Sequence, residues 1–572
     1  MIRTLISTIG MAALIAACSQ PANEPESESA ATPQPDAATA EAAAVSTENL
    51  SEIVRVLASD EFEGRAPGTP GETKTVEYLI EKFEEIGLEP GGRDGGWTDP
   101  VTLLHSRVVD LRTLNVEAEG TTLDMRQGRD IEISSANPRE TIAIEDAPIV
   151  FVGFGASAPE RDWDDYGDID LTGKVALFLV NDPDFGVAED DPVAGRFGGN
   201  RMTYYGRWAY KFEEAARRGA AAALVIHETE AAGYGWNVAA SGPGDNYAVA
   251  SDGAGKPSVD LQGWLHLDMA KQWMEAAGQD LDALRIAARS EDFEAFTLEG
   301  LTFNADLGLE VERIESQNVL GKITGTERPD ETIMLSGHWD AYGKGIADAQ
   351  GRTVMPGAND DALGMAGIME IARILKAGEP LERTVVVAAW TAEESGLLGS
   401  EAYAQDPIYP LETTVANFTL DILNTAGPAK DVIQVGEGQS ELEEMMAEAA
   451  DAQGRYVSPE GLPQNGLFYR ADHFSLARRG VPVILIMGIA GGPDLVEGGR
   501  EAGAEWVAGY IANRYHNQND AWDPDWDLRG AAQDVELILE MTRQLANSTK
   551  WPAIKETSEF VDIRNESAAA RD

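Results

Sequence analysis

The stretch Ile333-Met334-Leu335-Ser336-Gly337-His338-Trp339-Asp340 decides how this chain is read. Its apolar opening is a strand pattern, and it closes on His-x-Asp. A histidine at the carboxyl end of a strand lies where open α/β sheets bind ligands. Downstream, strand and helix signals alternate. Pro356-Gly357-Ala358-Asn359-Asp360-Asp361 leads into a helix from Ala362, whose Met365, Ile368, Met369, Ala372 and Leu375 share one face. The strand Thr384–Trp390 runs into Thr391-Ala392-Glu393-Glu394-Ser395-Gly396, and the strand Val415–Leu420 ends at Asp421. A helix over Glu441–Ala452 and a strand over Val481–Met487 follow. This alternation implies an α/β fold with a central mixed, mostly parallel sheet flanked by helices.

Each motif alone has an ordinary explanation. His338 and Asp340 read equally as a capped surface histidine, and Asp360 and Asp361 as acidic caps that complement a helix dipole. On a regular strand Glu393 and Glu394 would point to opposite faces. In the loop just past the strand both can turn inward, giving one ligand and one base. His516, in Arg514-Tyr515-His516-Asn517-Gln518-Asn519-Asp520, sits in a polar loop. Jointly, His338, Asp360, Glu394, Asp421 and His516 make a histidine and carboxylate set that suits zinc.

Upstream the organisation changes. Ile53, Val56 and Leu57 have helical spacing, as do Val76, Leu79, Ile80 and Phe83 up to a stop at Gly87, and Gly64-Arg65-Ala66-Pro67-Gly68 between them is a loop by composition. Short strands are expected from about 101 to 135. A Gly-rich βαβ-like unit runs from Ala147 to Phe296, with strands at Ile149–Val152, Val175–Val180 and Ala223–Ile226 and a helix at Tyr210–Arg218. Gly153-Phe154-Gly155 mimics a dinucleotide fingerprint, but Pro159 and an acidic run follow where a helix should open.

Lys and Arg number 44 against 98 Asp and Glu, a net charge of −54, which argues against a broad nucleic-acid surface. The single cysteine excludes an intrachain disulfide. Leu5–Ala17 is apolar but shorter than the roughly 20 residues of a membrane span, so it reads as a signal-peptide core. Leu14-Ile15-Ala16-Ala17-Cys18 resembles a bacterial lipoprotein signal, implying lipidation at Cys18 and a membrane-anchored place in the cell envelope. Residues 18–49, with four prolines amid Ala, Ser and Glu, read as a disordered tether.

The ordered series Gly-His-Trp-Asp, Gly-Ala-Asn-Asp-Asp, Glu-Glu-Ser-Gly-Leu-Leu-Gly-Ser, Leu-Asp and Tyr-His resembles the M28 family of co-catalytic zinc peptidases over about 318–545. Asp170-Leu171-Thr172-Gly173-Lys174-Val175 and Ala215-Ala216-Arg217-Arg218-Gly219-Ala220 resemble the protease-associated domain inserted in many members. The domains expected are a signal peptide (1–17), the tether (18–49), an N-terminal part of the peptidase (50–146), a β-rich α/β insert (147–296), the catalytic domain (297–550) and a tail (551–572).

The resemblance implies two Zn²⁺ ions. His338 and Asp421 would hold one, Glu394 and His516 the other, and Asp360 would bridge them, with a cis peptide after it. A di-zinc-bound hydroxide would hydrolyse the N-terminal residue of a peptide, with Glu393 as general base and Tyr515 stabilising the oxyanion. Asp340 would orient His338, and Arg470, Asp472 and His473 would line the substrate pocket. The alternatives are a carboxypeptidase or dipeptidase using Arg470 or Arg514, a single-zinc glutaminyl cyclase, and a surface binding protein without catalysis.

Overall fold

The computed structural model describes residues 44–571 except 136, 138, 241, 243 and 251–257. The expected signal peptide, Cys18 and the tether up to residue 43 lie outside the described residues. The helices that matter below are α1 (Thr47–Leu57), α2 (Pro70–Ile86), α3 (Trp208–Arg217), α4 (Leu363–Ala377), α5 (Leu398–Gln405), α6 (His473–Ala477), α7 (Gly499–Asn513) and α8 (Arg529–Ala546). The strands are β1 (Thr98–Ala118), β2 (Ile131–Ser134), β3 (Thr141–Gly153), β4 (Val175–Leu179), β5 (Ala222–His227), β6 (Leu261–His266), β7 (Phe296–Ile323), β8 (Arg328–His338), β9 (Arg383–Trp390), β10 (Thr414–Leu420) and β11 (Val483–Ile486).

Local chemistry sets the ends of the first helices. The Ser46 hydroxyl accepts a hydrogen bond from the Asn49 amide, and the Ser46 amide donates to Glu370 at 2.8 Å. Order therefore starts before Leu50, and residues 47–49 of the expected tether are helix. Pro70 opens α2, where its missing N–H costs nothing, and Gly87 ends it in the left-handed region at φ 86°.

One mixed sheet carries the molecule, in the order β11-β10-β8-β9-β7-β3-β4-β5-β6-β2. β8 lies parallel to β9 and β10, and β10 parallel to β11. β3, β4, β5 and β6 form a second parallel set. The 28-residue β7 joins the two sets: it runs antiparallel to β9 at its end, and to β3 and β1 over its earlier part. Register pairs His338 with Trp390, so both strands end at one level.

Burial divides the chain differently from the expected boundaries. One apolar cluster packs Leu50, Leu79, Ile368 and Ile538 from the helices against Ile333, Val385 and Phe418 of the sheet. A second cluster begins with Leu114, Val116, Ile131, Ile133 and Ile144 and ends with Phe303, Leu307 and Leu309. The core of the upstream unit thus starts before 147 and ends after 296. The physical reason is that β1 and β7 form one long antiparallel ribbon whose inward side chains complete that core. A third cluster sets Phe197, Tyr204 and Tyr205 against Trp390, Tyr403 and Phe474, fastening the upstream unit beside the strand ends. The C-terminal segment docks: Phe560 is buried in that cluster, and the Arg564 guanidinium donates to the Thr414 carbonyl at 3.3 Å.

Candidate active site

The parallel strands aim their carboxyl ends at one place. His338 is the last residue of β8, Glu393 and Glu394 follow β9, Asp421 follows β10, and Asp360 lies in the turn that enters α4. His516 comes from the loop after α7 and sits at the open edge, its side chain 35% exposed.

Asp360 stands between the two histidines. Its Oδ1 lies 3.2 Å from His338 Nε2, and its Oδ2 lies 3.3 Å from His516 Nε2. On the His338 side, Nε2 is 3.9 Å from Glu393 Oε2 and 4.0 Å from Asp421 Oδ1. On the His516 side, Nε2 is 3.5 Å from Glu394 Oε2. Ligand atoms of His338, Asp360 and Glu394 fall within 4.8 Å of one another, as do those of His338, Glu393 and Asp421. His338 Nε2 and Asp421 Oδ1 are buried with no hydrogen-bond partner. Buried polar atoms rarely go unpaired, so orphan atoms that face each other across a cluster of carboxylates fit a divalent cation.

The electrostatics agree. Burial works against the Asp360 charge, but the flanking His338 and His516 rings hold its carboxyl below the usual range. Burial pushes Asp421 up to about 8, with Asp360 adding repulsion. Glu393 and Glu394 are raised well above the ordinary value, by burial first and then by neighbouring charges. So many carboxyl groups in one buried space call for positive charge.

The supports are specific. His338 Nδ1 faces the Asp340 backbone carbonyl at 3.1 Å, whereas the Asp340 carboxylate stands 3.6 Å away. That carboxylate accepts the Glu393 amide at 3.0 Å and the Glu394 amide at 3.4 Å. Asp340 therefore holds the Glu393–Glu394 turn, and its main chain rather than its side chain meets the histidine; strand geometry at the His-x-Asp end turns the carboxylate toward β9. The peptide bond Asp360–Asp361 is cis. Asp361 accepts the His338 amide at 3.2 Å and the Gly364 amide at 2.9 Å, and a Cβ at Gly364 would collide with its carboxylate.

Four residues outside the expected set complete the frame. Arg65 is fully buried and donates to the carbonyls of Trp339 (2.7 Å), Leu57 (2.9 Å), Pro356 (2.5 Å) and Gly357 (2.8 Å). Asp520 accepts the amides of Asn359 and Asp360, each at 3.1 Å. The Tyr342 hydroxyl lies 2.9 Å from His516 Nδ1. Asp361 is the fourth. Asp520 had a signal, four residues after His516 in one polar loop; Arg65 had none beyond being a cation in a Gly-rich loop.

A cavity of about 870 Å³ opens onto these groups, lined among others by Glu393, Tyr515, Arg470 and, from the upstream unit, Tyr204, Arg207 and Tyr234. Tyr515 sits beside His516, ring centres 3.6 Å apart. Asp472 and His473 do not line this cavity. His473 opens α6 and is wholly buried, its ring edge-on to Phe468 at 4.9 Å, and burial lowers its pKa to about 3. Asp472 is 1% exposed, because the short helix packs its first turn inward. Arg514 is tied to Asp523 at 3.2 Å and lies outside the cavity.

Residues 318–548 match the model of Peptidase family M28. A probable zinc metalloprotease of Pyrenophora tritici-repentis (strain Pt-1C-BFP) is 41% identical over 88 residues, 15% of this chain and 18% of that protein. The chain thus spans less than a third of the length of such curated relatives. Among solved structures, the aminopeptidase from Aneurinibacillus sp. strain AM-1 is 20% identical, with a TM-score of 0.47 over 89% of this chain and 96% of that one. A zinc aminopeptidase from Bacillus subtilis is 17% identical, with a TM-score of 0.42 over 91% and 99%.

Proposed function

From a chain whose residues 318–548 match the model of Peptidase family M28, we propose a zinc-dependent exopeptidase that removes the N-terminal residue of peptides. The observation that carries the reading is Asp360 offering one oxygen toward each histidine. His338 and Asp421 would hold one Zn²⁺, Glu394 and His516 a second, with Asp360 between them. When bound, such ions acidify a water and polarise the scissile carbonyl.

The chain's own groups do the rest. Glu393, raised by burial, takes a proton from the attacking water at its carboxylate and delivers it to the leaving amine. Asp340 fixes the Glu393 backbone so that this carboxylate faces His338. The Tyr515 hydroxyl donates to the oxyanion as it forms. The Tyr342 hydroxyl, 2.9 Å from Nδ1 and 3.3 Å from Nε2 of His516, packs against the ring whose Nε2 faces Asp360 and Glu394. The surrounding carboxylates attract a substrate's free ammonium group, which favours an N-terminal residue over an internal one. The same reading includes export and anchoring through a lipid on Cys18.

A panel of peptides with free and blocked N-termini tests this. Release of the first residue from Leu-Gly-Gly amide but not from its N-acetyl form is expected. Cleavage restricted to the C-terminal bond, blocked or not, would assign a carboxypeptidase instead.

A further inference from the structure

In a chain of net charge −54, cations are scarce and are consumed by partners. The buried arginines show it: Arg65 meets carbonyls, Arg383 meets Glu331 at 2.6 Å, Arg455 meets Asp534 at 2.6 Å, and Arg564 meets the Thr414 carbonyl. Arg207, only 8% exposed, is the exception. Among the described residues its guanidinium has neither an acidic partner nor a hydrogen bond; its one polar-to-ring contact is with Trp208 at 5.7 Å.

Arg207 does not stand alone. Arg470, whose Nε is buried and unpaired, projects over the Tyr234 ring at 5.7 Å and lines the same cavity. Burial first, and then Arg470 beside it, disfavour the charged form of Arg207. Two like charges kept together, one almost dry, are costly until an anion joins them. The local structure gives them no freedom to leave. Arg207 precedes α3, and its stem packs over Gly466, where a Cβ would come within 3.4 Å of it. The cavity is therefore bipolar, with carboxylates around His338 and His516 on one wall and two open guanidinium groups on another.

We infer that Arg207 and Arg470 form a carboxylate-binding subsite, so that the peptides this cavity prefers carry an anionic group. A guanidinium fork matches a carboxylate in two parallel hydrogen bonds, and a peptide offers no other common anion. The carboxylate is either the free C-terminus of a short peptide or an acidic side chain. The inference deepens the exopeptidase reading and rests on it for the identity of the substrate as a peptide.

Two measurements on the full-length chain test it. In the zinc-loaded protein, kcat/KM is compared for Leu-Gly, Leu-Gly amide and Leu-Asp amide. In the metal-free protein, calorimetry compares binding of acetyl-Gly-Gly with its amide. The expected result is a preference for an anionic peptide of about tenfold or more in turnover, matched in the calorimetry where the carboxylate is a C-terminus. Preference for Leu-Gly identifies the C-terminus as the source of the carboxylate, and preference for Leu-Asp amide identifies the side chain. Arg207→Gln and Arg470→Gln should each collapse the preference toward one, and Arg207→Lys should restore part of it. Arg470 is less buried, so its variant serves if Arg207→Gln fails to fold. Equal handling of Leu-Gly, Leu-Gly amide and Leu-Asp amide by the wild-type protein, or a preference that survives in both Gln variants, overturns the inference while leaving the peptidase reading intact. Arginine-dependent binding of acetyl-Gly-Gly in a protein that cleaves no peptide supports the subsite and removes the exopeptidase.

Discussion

At the scale of single residues, two buried ionisable groups have opposite fates. Glu393 is raised by burial and crowding yet faces the cavity, which suits a group that must take and give a proton. Glu393→Gln should lower kcat by about 10²–10⁴-fold, with zinc content, measured by atomic absorption, unchanged; loss of zinc would make Glu393 a ligand. His473 was expected to line the pocket from its neighbourhood in the sequence, but it is a core side chain. Its folded pKa of about 3 lies below the ordinary 6.5, so the neutral ring is the stable one. The stability it contributes is present above pH 6.5 and is lost as pH falls toward 3. At pH 5 this amounts to about 2 kcal/mol. Urea unfolding at pH 7.5 and pH 5 should show that slope in the wild-type chain, and it should shrink by about that amount in His473→Phe.

At the scale of elements, the strands and the motif-bearing turns were legible because each couples an apolar run to a polar end. The run from Ile333 to His338, the face of α4 and the strand before Glu393 follow directly from side-chain periodicity. The props beneath them were not legible. Arg65 and Asp520 act on backbone groups 291 and 160 residues away, respectively (Pro356 and Asp360), and a contact of that separation leaves no local pattern. β1 was equally hidden, since its 21 residues were expected as several short strands; its exposed middle lacks the alternation of a half-buried strand. Arg65 ties α1, the end of β8 and the turn before Asp360 through its fork of donors. Lysine cannot reproduce that fork. Arg65→Lys should cost about 2–4 kcal/mol in urea unfolding, and the less firmly held Asp360 turn should weaken zinc affinity in a competition titration.

At the scale of the whole molecule, β7 makes one sheet of two parallel sets, and the ribbon it forms with β1 is why the upstream unit does not begin at 147 or end at 296. That unit then leans Tyr204 and Arg207 over the strand ends and helps close the cavity. The order of motifs along the chain predicted which residues would meet, while the third cluster, assembled from distant aromatic side chains, was invisible until the two units were packed together. Five side chains, from strand ends, the turn before α4 and one late loop, converge around Asp360, where under the proposed function they would hold a pair of ions. Metal analysis of the purified zinc-loaded chain tests this most directly. The account predicts two zinc ions per chain, falling to about one in His516→Ala, with none held tightly in Asp360→Ala. A single zinc in the wild-type protein, unaffected by loss of His516, would contradict it.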